Sequence, residues 1–566
     1  RSPTFKTFGT SSFMVGDDAT GTIDGANYNT GVGVDVFAAL TSGDDNTVVG
    51  YNSGTAITTG YRNSLLGVSS GAAITTGLQN TFMGKDAGAA TTTGDSNTFI
   101  GERSGTANTT GGQSVAVGQF SLGVNTTGGN NVAIGRSALS SNTTASNNTA
   151  VGHSTLLANT TGNESAAFGY GALNTHTTGN SNTGLGYLSG QNLTTGGNNV
   201  FVGRSSGATY STGTRSVAIG SFAAGGTGAK TGDSNVSIGY VAGAKLTSGH
   251  TNVFVGDTTG NATTTGNQNV GIGYLALEDN TTASQNTCVG YLAGSSYTTL
   301  GGNVNVGNNS GQTSTGSSNV YIGNQAAKAA TTGSENVAVG ALSLFTMTSQ
   351  GSMTAVGKNA ARAITSGASC VALGFDALRN ATTGNGNTCL GYQAGNNITT
   401  SATNTVVGHT ATISSGTSQG NEVVLGQGLT GIGYHQGIVG GVNGVYNQGN
   451  STTFATTSDE RIKKNIQDYT LGLDTINNIR VRTFEYRELD EIPNGTDGNI
   501  LSPNELPKGE RIGVIAQEII NVLPSCVKEH ENSRLSVTND NVLWTLVKAV
   551  QELSAEVEQL KLQIGE

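Results

Sequence analysis

Hydrophobic and polar positions recur along most of this chain with a 17-residue period. In one repeat, Asn46-Thr-Val-Val-Gly50, a polar residue precedes three threonine or apolar positions and a glycine, and the next repeat begins at Asn63. Twenty-five such anchor glycines run from Gly16 to Gly426, and 21 of the 24 intervals between them match this period. A fixed short period indicates one structural unit stacked on itself, so we predict a β-solenoid.

The three positions before each anchor glycine predict a strand. The residue just before the glycine is apolar throughout, and the one two places earlier is mostly threonine or valine, so the two share one face. The residue between them, such as Val48 or Leu65, points the opposite way. A strand that is apolar on both faces is expected to be buried on both. Because a single coil has only one interior, we expect the second face to pack against sister chains.

Two further features of the repeat predict how the rungs stack. The asparagines that open successive repeats are expected to form a hydrogen-bonded ladder; they include Asn46, Asn63, Asn80 and Asn97. Stacked strands advance about 4.8 Å per rung, so the 24 intervals would span roughly 115 Å.

Composition separates the repeats from the end of the chain. Residues 458–566 hold 31 of the 62 charged residues and four of the five prolines, and no proline lies between Pro3 and Pro493. Stacked strands exclude proline because it lacks an N–H. We predict a lead-in over residues 1–11, the solenoid over 12–426, a transition over 427–457, and a small α+β domain over 458–566 that ends in a coiled-coil helix over 541–566.

Charge and hydropathy argue against several classes of function. The net charge of −10 disfavours nucleic-acid binding. No stretch approaches 18 apolar residues, so membrane insertion is not expected, and no signal-like segment follows Arg1.

No cofactor or metal is expected either. The four cysteines show no metal-binding spacing, and Cys288 and Cys389 are interpreted as small buried residues. The only tryptophan, Trp544, is expected in a core. Four scattered histidines are interpreted as surface residues: His153, His176, His250 and His409.

The strand triplets resemble a known repeat. Asn131-Val-Ala-Ile-Gly135 and Ser216-Val-Ala-Ile-Gly220 are similar to the head repeats of trimeric autotransporter adhesins, over about residues 12–426. That family forms left-handed parallel β-rolls that trimerise, so the resemblance implies this handedness and a homotrimer. The period is longer than expected for those heads, and the membrane anchor of that family is missing from this sequence.

Three motifs between residues 457 and 566 resemble a second family. They are Thr457-Ser458-Asp459-Glu460-Arg461-Ile462-Lys463, Ile512-Gly-Val-Ile-Ala-Gln-Glu518 and Ala549-Val-Gln-Glu-Leu553. Together they look like the intramolecular chaperone domain at the C-terminus of phage tail fibres and tailspikes, which includes self-cleaving serine peptidases.

The second resemblance implies a catalytic site. Ser458 would be the nucleophile, Lys463 its base, and Asp459 the motif residue that follows the cut, with Asp459–Glu566 as the product. A serine hydroxyl needs a base to become nucleophilic, and a neutral lysine can serve. The alternative is a Ser-Asp helix cap followed by a solvated basic run.

The final helix carries an apolar seam with alternating spacings of three and four, which favours self-association. We call these residues the seam: Leu543, Leu546, Val550, Leu553, Val557, Leu560 and Ile564. β-Branched residues at the first heptad position with leucine at the second favour two strands. We expect three, because the resemblance and the doubly apolar strand both favour a trimer. A domain that trimerises first would set the register of repeats that otherwise slip.

These observations predict a structural homotrimer that forms a phage tail fibre or appendage shaft on the extracellular virion. Its expected partners are other virion proteins at the N-terminal end and a glycan or protein receptor on the host surface. The only enzymatic activity expected is a single self-cleavage.

Three other functions compete with this one. A bacterial surface adhesin would need an anchor. A glycan- or ice-binding solenoid with a retained trimerisation cap would use threonine pairs such as Thr58-Thr59. A glycan-cleaving tailspike would need paired carboxylates, and no pair recurs along the repeats.

Overall fold

The chain forms two compact units, Arg1–Thr457 and Ser458–Glu566. The computed structural model describes residues 4–16, 25–417, 420–440, 445–447, 463–487, 509–529 and 535–565.

The first unit is a parallel β-solenoid whose strands pair in sequence order. From β2 to β27 each strand pairs in parallel with the next, and equivalent residues lie opposite each other, as Val48 does with Leu65. At one end β1 runs antiparallel to β2, and at the other β28 runs antiparallel to β27. The predicted parallel solenoid of 17-residue rungs is confirmed.

Most of its strands are three residues long. They are β1 Thr4–Phe8, β2 Ser12–Gly16, β3 Thr30–Gly33, β4 Thr47–Val49, β5 Ser64–Leu66, β6 Thr81–Met83, β7 Thr98–Ile100, β8 Val115–Val117, β9 Val132–Ile134, β10 Thr149–Val151, β11 Ala166–Phe168, β12 Thr183–Leu185, β13 Val200–Val202, β14 Val217–Ile219, β15 Val236–Ile238, β16 Val253–Val255, β17 Val270–Ile272, β18 Thr287–Val289, β19 Val304–Val306, β20 Val320–Ile322, β21 Val337–Val339, β22 Thr354–Val356, β23 Val371–Leu373, β24 Thr388–Leu390, β25 Thr405–Val407, β26 Val423–Leu425, β27 Gly437–Val439 and β28 Val445–Asn447.

From β4 to β26 the middle residue of each strand is buried inside the solenoid, opposite in direction to its two neighbours, as the alternation predicted. Phe82 and Phe99 are fully buried and their rings stack with centroids 4.8 Å apart. Cys288 and Cys389 occupy the same inward position and are fully buried, which confirms their interpretation as small core residues.

In many rungs two inward positions exchange a large residue for a small one. Where the middle residue is Phe82, the residue four after the anchor glycine is Gly88, and a Cβ there would overlap the Phe82 ring. Where the middle residue is Ala116, that position is Leu122, which is fully buried. The exchange keeps the packed volume of a rung nearly constant, as dense interiors require. Other pairs of this kind are Phe99 with Gly105, Ala133 with Leu139, Phe201 with Gly207, Phe254 with Gly260 and Ala372 with Leu378.

The predicted asparagine ladder is present and buried. The Asn46 Oδ1 accepts from the Asn63 backbone N–H at 3.0 Å and from its Nδ2 at 3.1 Å, while the Asn63 Nδ2 also donates to the Gly77 carbonyl at 3.0 Å. Each such bond contributes about 0.5–1.5 kcal/mol. In some rungs another residue takes the place of asparagine: Ser114, Ser165, Ser216, Met353, Cys370 and Glu422.

A second, shorter ladder contains a buried histidine. It begins with Asn108, Asn125 and Asn142, and then Asn159 Oδ1 lies 3.1 Å from the Nδ1 of His176, which is fully buried. The interpretation of His176 as a surface residue was therefore wrong, because its position in the rung faces inward. Burial lowers the pKa of His176 to about 4.

The anchor glycines are required by their backbone. From Gly33 to Gly426 they have φ between +125° and +153°, and a Cβ would collide with the backbone of the next anchor glycine or, for Gly426, of Gly440. Two residues later the backbone is left-handed again, yet the position is held by side chains as different as Asn52 (φ 55°) and Phe120 (φ 60°).

The second unit contains two small sheets and a long final helix. Its elements are α1 Leu473–Asn477, β29 Arg482–Phe484, β30 Arg511–Gly513, α2 Ala516–Ile519, a 3-10 helix Pro524–Cys526, β31 Val527–Glu529, β32 Leu535–Val537 and α3 Asn539–Ile564. β29 pairs antiparallel with β30, and β31 pairs antiparallel with β32. A small core forms around Ile519, Leu523 and Cys526.

Candidate functional site

An uncharged apolar face runs along the outside of the solenoid strands. We call the outward face the residues three before and one before each anchor glycine, from Thr30 to Leu425; none of them is charged. In the single chain these side chains are partly or largely exposed, reaching 46% in Leu66 and 47% in Leu185. Monomeric proteins rarely expose so large a contiguous apolar surface, which marks this face as a candidate interface.

A column of aromatic side chains lies beside this face, at the position just after the anchor glycine. The rings of His153, Tyr170 and Tyr187 stack with centroids 5.3 and 5.5 Å apart, and those of Phe375 and Tyr392 lie 5.3 Å apart. This column was not predicted from the sequence, although the 17-residue spacing of these aromatics could have revealed it.

Half of the hydroxyl groups in the threonine pairs are hydrogen-bonded within the solenoid. The Thr58 hydroxyl donates to the Thr75 carbonyl at 3.1 Å, and Thr75 and Thr92 repeat the bond at 3.2 Å. The first threonine of each such pair therefore serves the stack, which weakens the hypothesis that the pairs form a free ice-binding rank.

The predicted catalytic residues lie at the edge of the described part of the chain. Ser458 and Asp459 fall outside the described residues, and Lys463 is described and exposed. The pairing of the serine with the lysine therefore stays a prediction.

The second motif of the C-terminal unit has a structural role within the chain. Glu518 on α2 accepts from Arg482 Nη2 at 2.6 Å and from Arg482 Nε at 3.1 Å, and this bond lowers the pKa of the Glu518 carboxyl. Arg480 Nη1 lies 3.8 Å from the same carboxylate. The motif therefore connects α2 to the segment that contains β29.

One side of α3 packs on its own domain. The Glu552 Oε2 accepts from the Leu473 backbone N–H at 2.7 Å, the Tyr469 hydroxyl lies 2.9 Å from the Thr545 Oγ1, and Thr545 and Ala549 are buried. These contacts occupy the helix positions that the seam leaves free.

The other side of α3 exposes the whole seam. Its residues are between 42% and 58% exposed apart from Ile564, which is 72% exposed. Trp544 is 61% exposed, so its expected place in a core was wrong; it neighbours the seam instead. An apolar seam exposed along a whole amphipathic helix marks a candidate self-association surface.

Neither a metal cluster nor a membrane helix is found where the structure is described. Within those residues no group of three or more His, Cys, Asp or Glu side chains is placed to hold a metal ion. None of the helices described is long and apolar enough to cross a membrane.

Residues 458–528 match the family model described as the chaperone of endosialidase. The predicted chaperone resemblance of the C-terminal unit is thereby confirmed. The match begins at Ser458 and includes the second motif, through α2 and the 3-10 helix. No curated protein and no solved structure gives a significant match to the chain.

Proposed function

We propose that this chain is a structural shaft of a phage tail fibre or virion appendage, assembled as a homotrimer by its C-terminal chaperone domain. The observation that carries the proposal is the outward face, which is uncharged over 24 rungs and exposed in the single chain. Covering a half-exposed Leu or Ile contributes roughly 1 kcal/mol, so the sum over the rungs is large.

The seam supports the same assembly at the other unit. Seven apolar side chains of α3 are exposed together, and the contacts to Thr545 and Glu552 hold the helix with its seam facing away from its own domain. Three copies of α3 would cover this seam and bring three chains into one register.

A chaperone domain would prevent shifts of register between the similar rungs of this solenoid. Successive rungs are alike, so a strand shifted by one whole rung would find nearly the same neighbours. Parallel pairing between chains also loses conformational entropy before the stabilising contacts form. Trimerisation of the C-terminal domain would fix the register before the rungs zip together.

The domain would then cut itself off between Ser458 and Asp459. Lys463 would take the proton of a Ser458 hydroxyl, whose oxygen would attack the Ser458 carbonyl carbon of a sister chain, because attack within the same residue would need a strained four-membered ring. The C–N bond to Asp459 would break, the lysine ammonium would return the proton to the departing Asp459 amine, and water would hydrolyse the resulting ester. Loss of the domain would leave a trimer that cannot readily unfold and refold, a kinetic trap that suits an extracellular fibre.

Mass spectrometry of freshly expressed full-length chain, beside Ser458→Ala and Lys463→Ala, tests both parts. We expect the wild type to yield the product Asp459–Glu566, and both variants to remain intact. Native mass should show three solenoid chains in every sample. An intact wild type that is trimeric would remove the peptidase and keep the shaft, whereas a stable wild-type monomer would refute the shaft.

A further inference from the structure

An open groove of about 690 Å³ lies on the turns of four successive rungs, in the N-terminal part of the solenoid. Its lining includes Arg103, Phe120, Thr106, Ser137, Ser140 and Ser141. None of its lining residues belongs to the outward face, so the proposed trimer contact and the groove use different positions of the rung. The volume falls in the range of small-molecule sites.

One wall is built by the left-handed position two residues after the anchor glycine. Arg103 and Phe120 hold this position in adjacent rungs, and the Arg103 Cζ lies 5.7 Å from the Phe120 ring centroid. Arg103 Nε is 3.8 Å from Asp86 Oδ2 in the preceding rung. In the following rung the position is Ser137, a side chain too small to cover the ring, so one side of Phe120 faces the groove.

A second row of lining residues has a gap because one rung lacks a side chain there. The position five after the anchor glycine is Thr106, then Gly123, then Ser140, and the next rung has the larger Leu157. Gly123 thus leaves a gap between two hydroxyl-bearing residues, Thr106 and Ser140, which also line the groove.

The hydroxyls around this gap are free to bind a ligand. In the part of the chain that the structure describes, no protein group is hydrogen-bonded to the side-chain oxygens of Thr106, Ser137, Ser140 or Ser141. Nearby serines inside the rungs behave differently: the Ser104 and Ser121 hydroxyls donate to the Gly101 and Gly118 carbonyls at 3.0 and 2.8 Å.

We propose that this groove binds an uncharged oligosaccharide. A pyranose presents a C–H face that is attracted to the negative face of an aromatic ring, here Phe120, and a rim of hydroxyls that match the serine and threonine side chains. Arg103 can donate hydrogen bonds to the sugar hydroxyls, and Asp86 can accept hydrogen bonds from them. Because the two side chains have opposite charges, they leave the groove without a net charge. This inference rests on the proposed function as the shaft of a tail fibre or virion appendage, and it places a receptor site at residues 86–141.

The test is binding of the full chain to an array of neutral oligosaccharides of glucose, galactose, mannose and N-acetylhexosamines, with sialylated and uronic-acid glycans beside them. We expect binding to neutral members, with affinity reduced at least tenfold by Phe120→Ala and several-fold by Ser140→Ala. Phe222→Ala is the matched control, because Phe222 has φ 56°, holds the same rung position and lies 5.2 Å from the Arg204 Cζ, yet does not line this groove.

Native mass measured on the same samples separates this inference from the proposed shaft. A trimer that binds no neutral glycan overturns the inference and leaves the shaft intact. Equal losses in Phe120→Ala and Phe222→Ala, or binding confined to acidic glycans, also overturn it. A change of oligomeric state in Phe120→Ala would assign the groove to a contact between chains instead.

Discussion

The solenoid and the C-terminal unit satisfy their apolar residues in different ways. In the solenoid each rung fills its own interior, with Phe82 or Leu122 fully buried inside one chain. In the C-terminal unit the core around Leu523 is small, while the seam of α3 is exposed. The repeats thus bury one apolar face inside the chain and leave the outward face exposed, whereas most of the apolar surface of α3 is left for the proposed association.

The largest expected effect comes from breaking the seam. Replacing Leu546 and Leu553 together by Asp places two charges on the association surface without touching the domain core, since the two leucines are 45% and 48% exposed. We expect the native mass of the assembly to fall from three chains to one, with aggregation of the unregistered solenoid. Leu562→Asp is the control, because Leu562 is 77% exposed and lies outside the seam. Trimers of normal yield from the double variant would contradict the assignment.

The next largest effect concerns the interior of a rung. Phe82→Ala should cost about 3–5 kcal/mol by leaving a cavity, and Gly88→Leu should destabilise by overpacking, since a Cβ at Gly88 would overlap the Phe82 ring. The double variant reproduces the Ala116 and Leu122 arrangement and should recover much of the loss. Denaturant unfolding of the three variants gives the coupling energy, and simple additivity of the two costs would refute the exchange.

A smaller effect is expected from the asparagine ladder. Asn63→Leu leaves the Gly77 carbonyl and the Asn80 N–H unpaired, at about 1–3 kcal/mol for each buried group. Asn63→Ser should cost less, because serine already holds this position at Ser114. Hydrogen exchange at the neighbouring rungs measures both, and equal protection in the two variants would show that the ladder bonds matter little.

The smallest effect is a pH dependence confined to one rung. The His176 pKa is about 4 in the folded chain against an ordinary value of 6.5, so the unfolded chain binds a proton more readily between these values. Above pH 6.5 His176 is neutral in both states and does not lower the free energy of unfolding. As the pH drops from 6.5 toward 4, the free energy of unfolding falls, and at pH 5 the loss is about 2 kcal/mol. His176→Asn restores the ladder residue and should flatten this part of the profile, which thermal melts from pH 4 to 7 would reveal. An unchanged slope would assign the acid sensitivity to other groups.

Much of the fold was predictable because its rules are local. The 17-residue phase, the alternation of faces at Val48 and Leu65, and the ladder from Asn46 onward follow from period and residue type alone. The seam was predictable for the same reason, since heptad spacing needs no tertiary information.

The remainder depends on contacts between rungs. The inward position of His176 lies in a turn, where strand alternation gives no guidance. The groove requires Phe120, Gly123 and Ser137 to coincide across neighbouring rungs, and no single repeat contains that pattern. Trp544 was misplaced because an exposed tryptophan beside a seam has the same helical spacing as a buried one.

The reversed strands at the two ends of the solenoid bear on whether the stack can grow by adding rungs from other molecules. A stack of identical parallel rungs is a template for further growth, in the way that amyloid cross-β extends at its tips. β1 and β28 run against the direction of the stack, so each end presents an antiparallel strand where another parallel rung would otherwise be added. We expect these two short reversed strands to disfavour end-to-end growth of the stack into longer filaments.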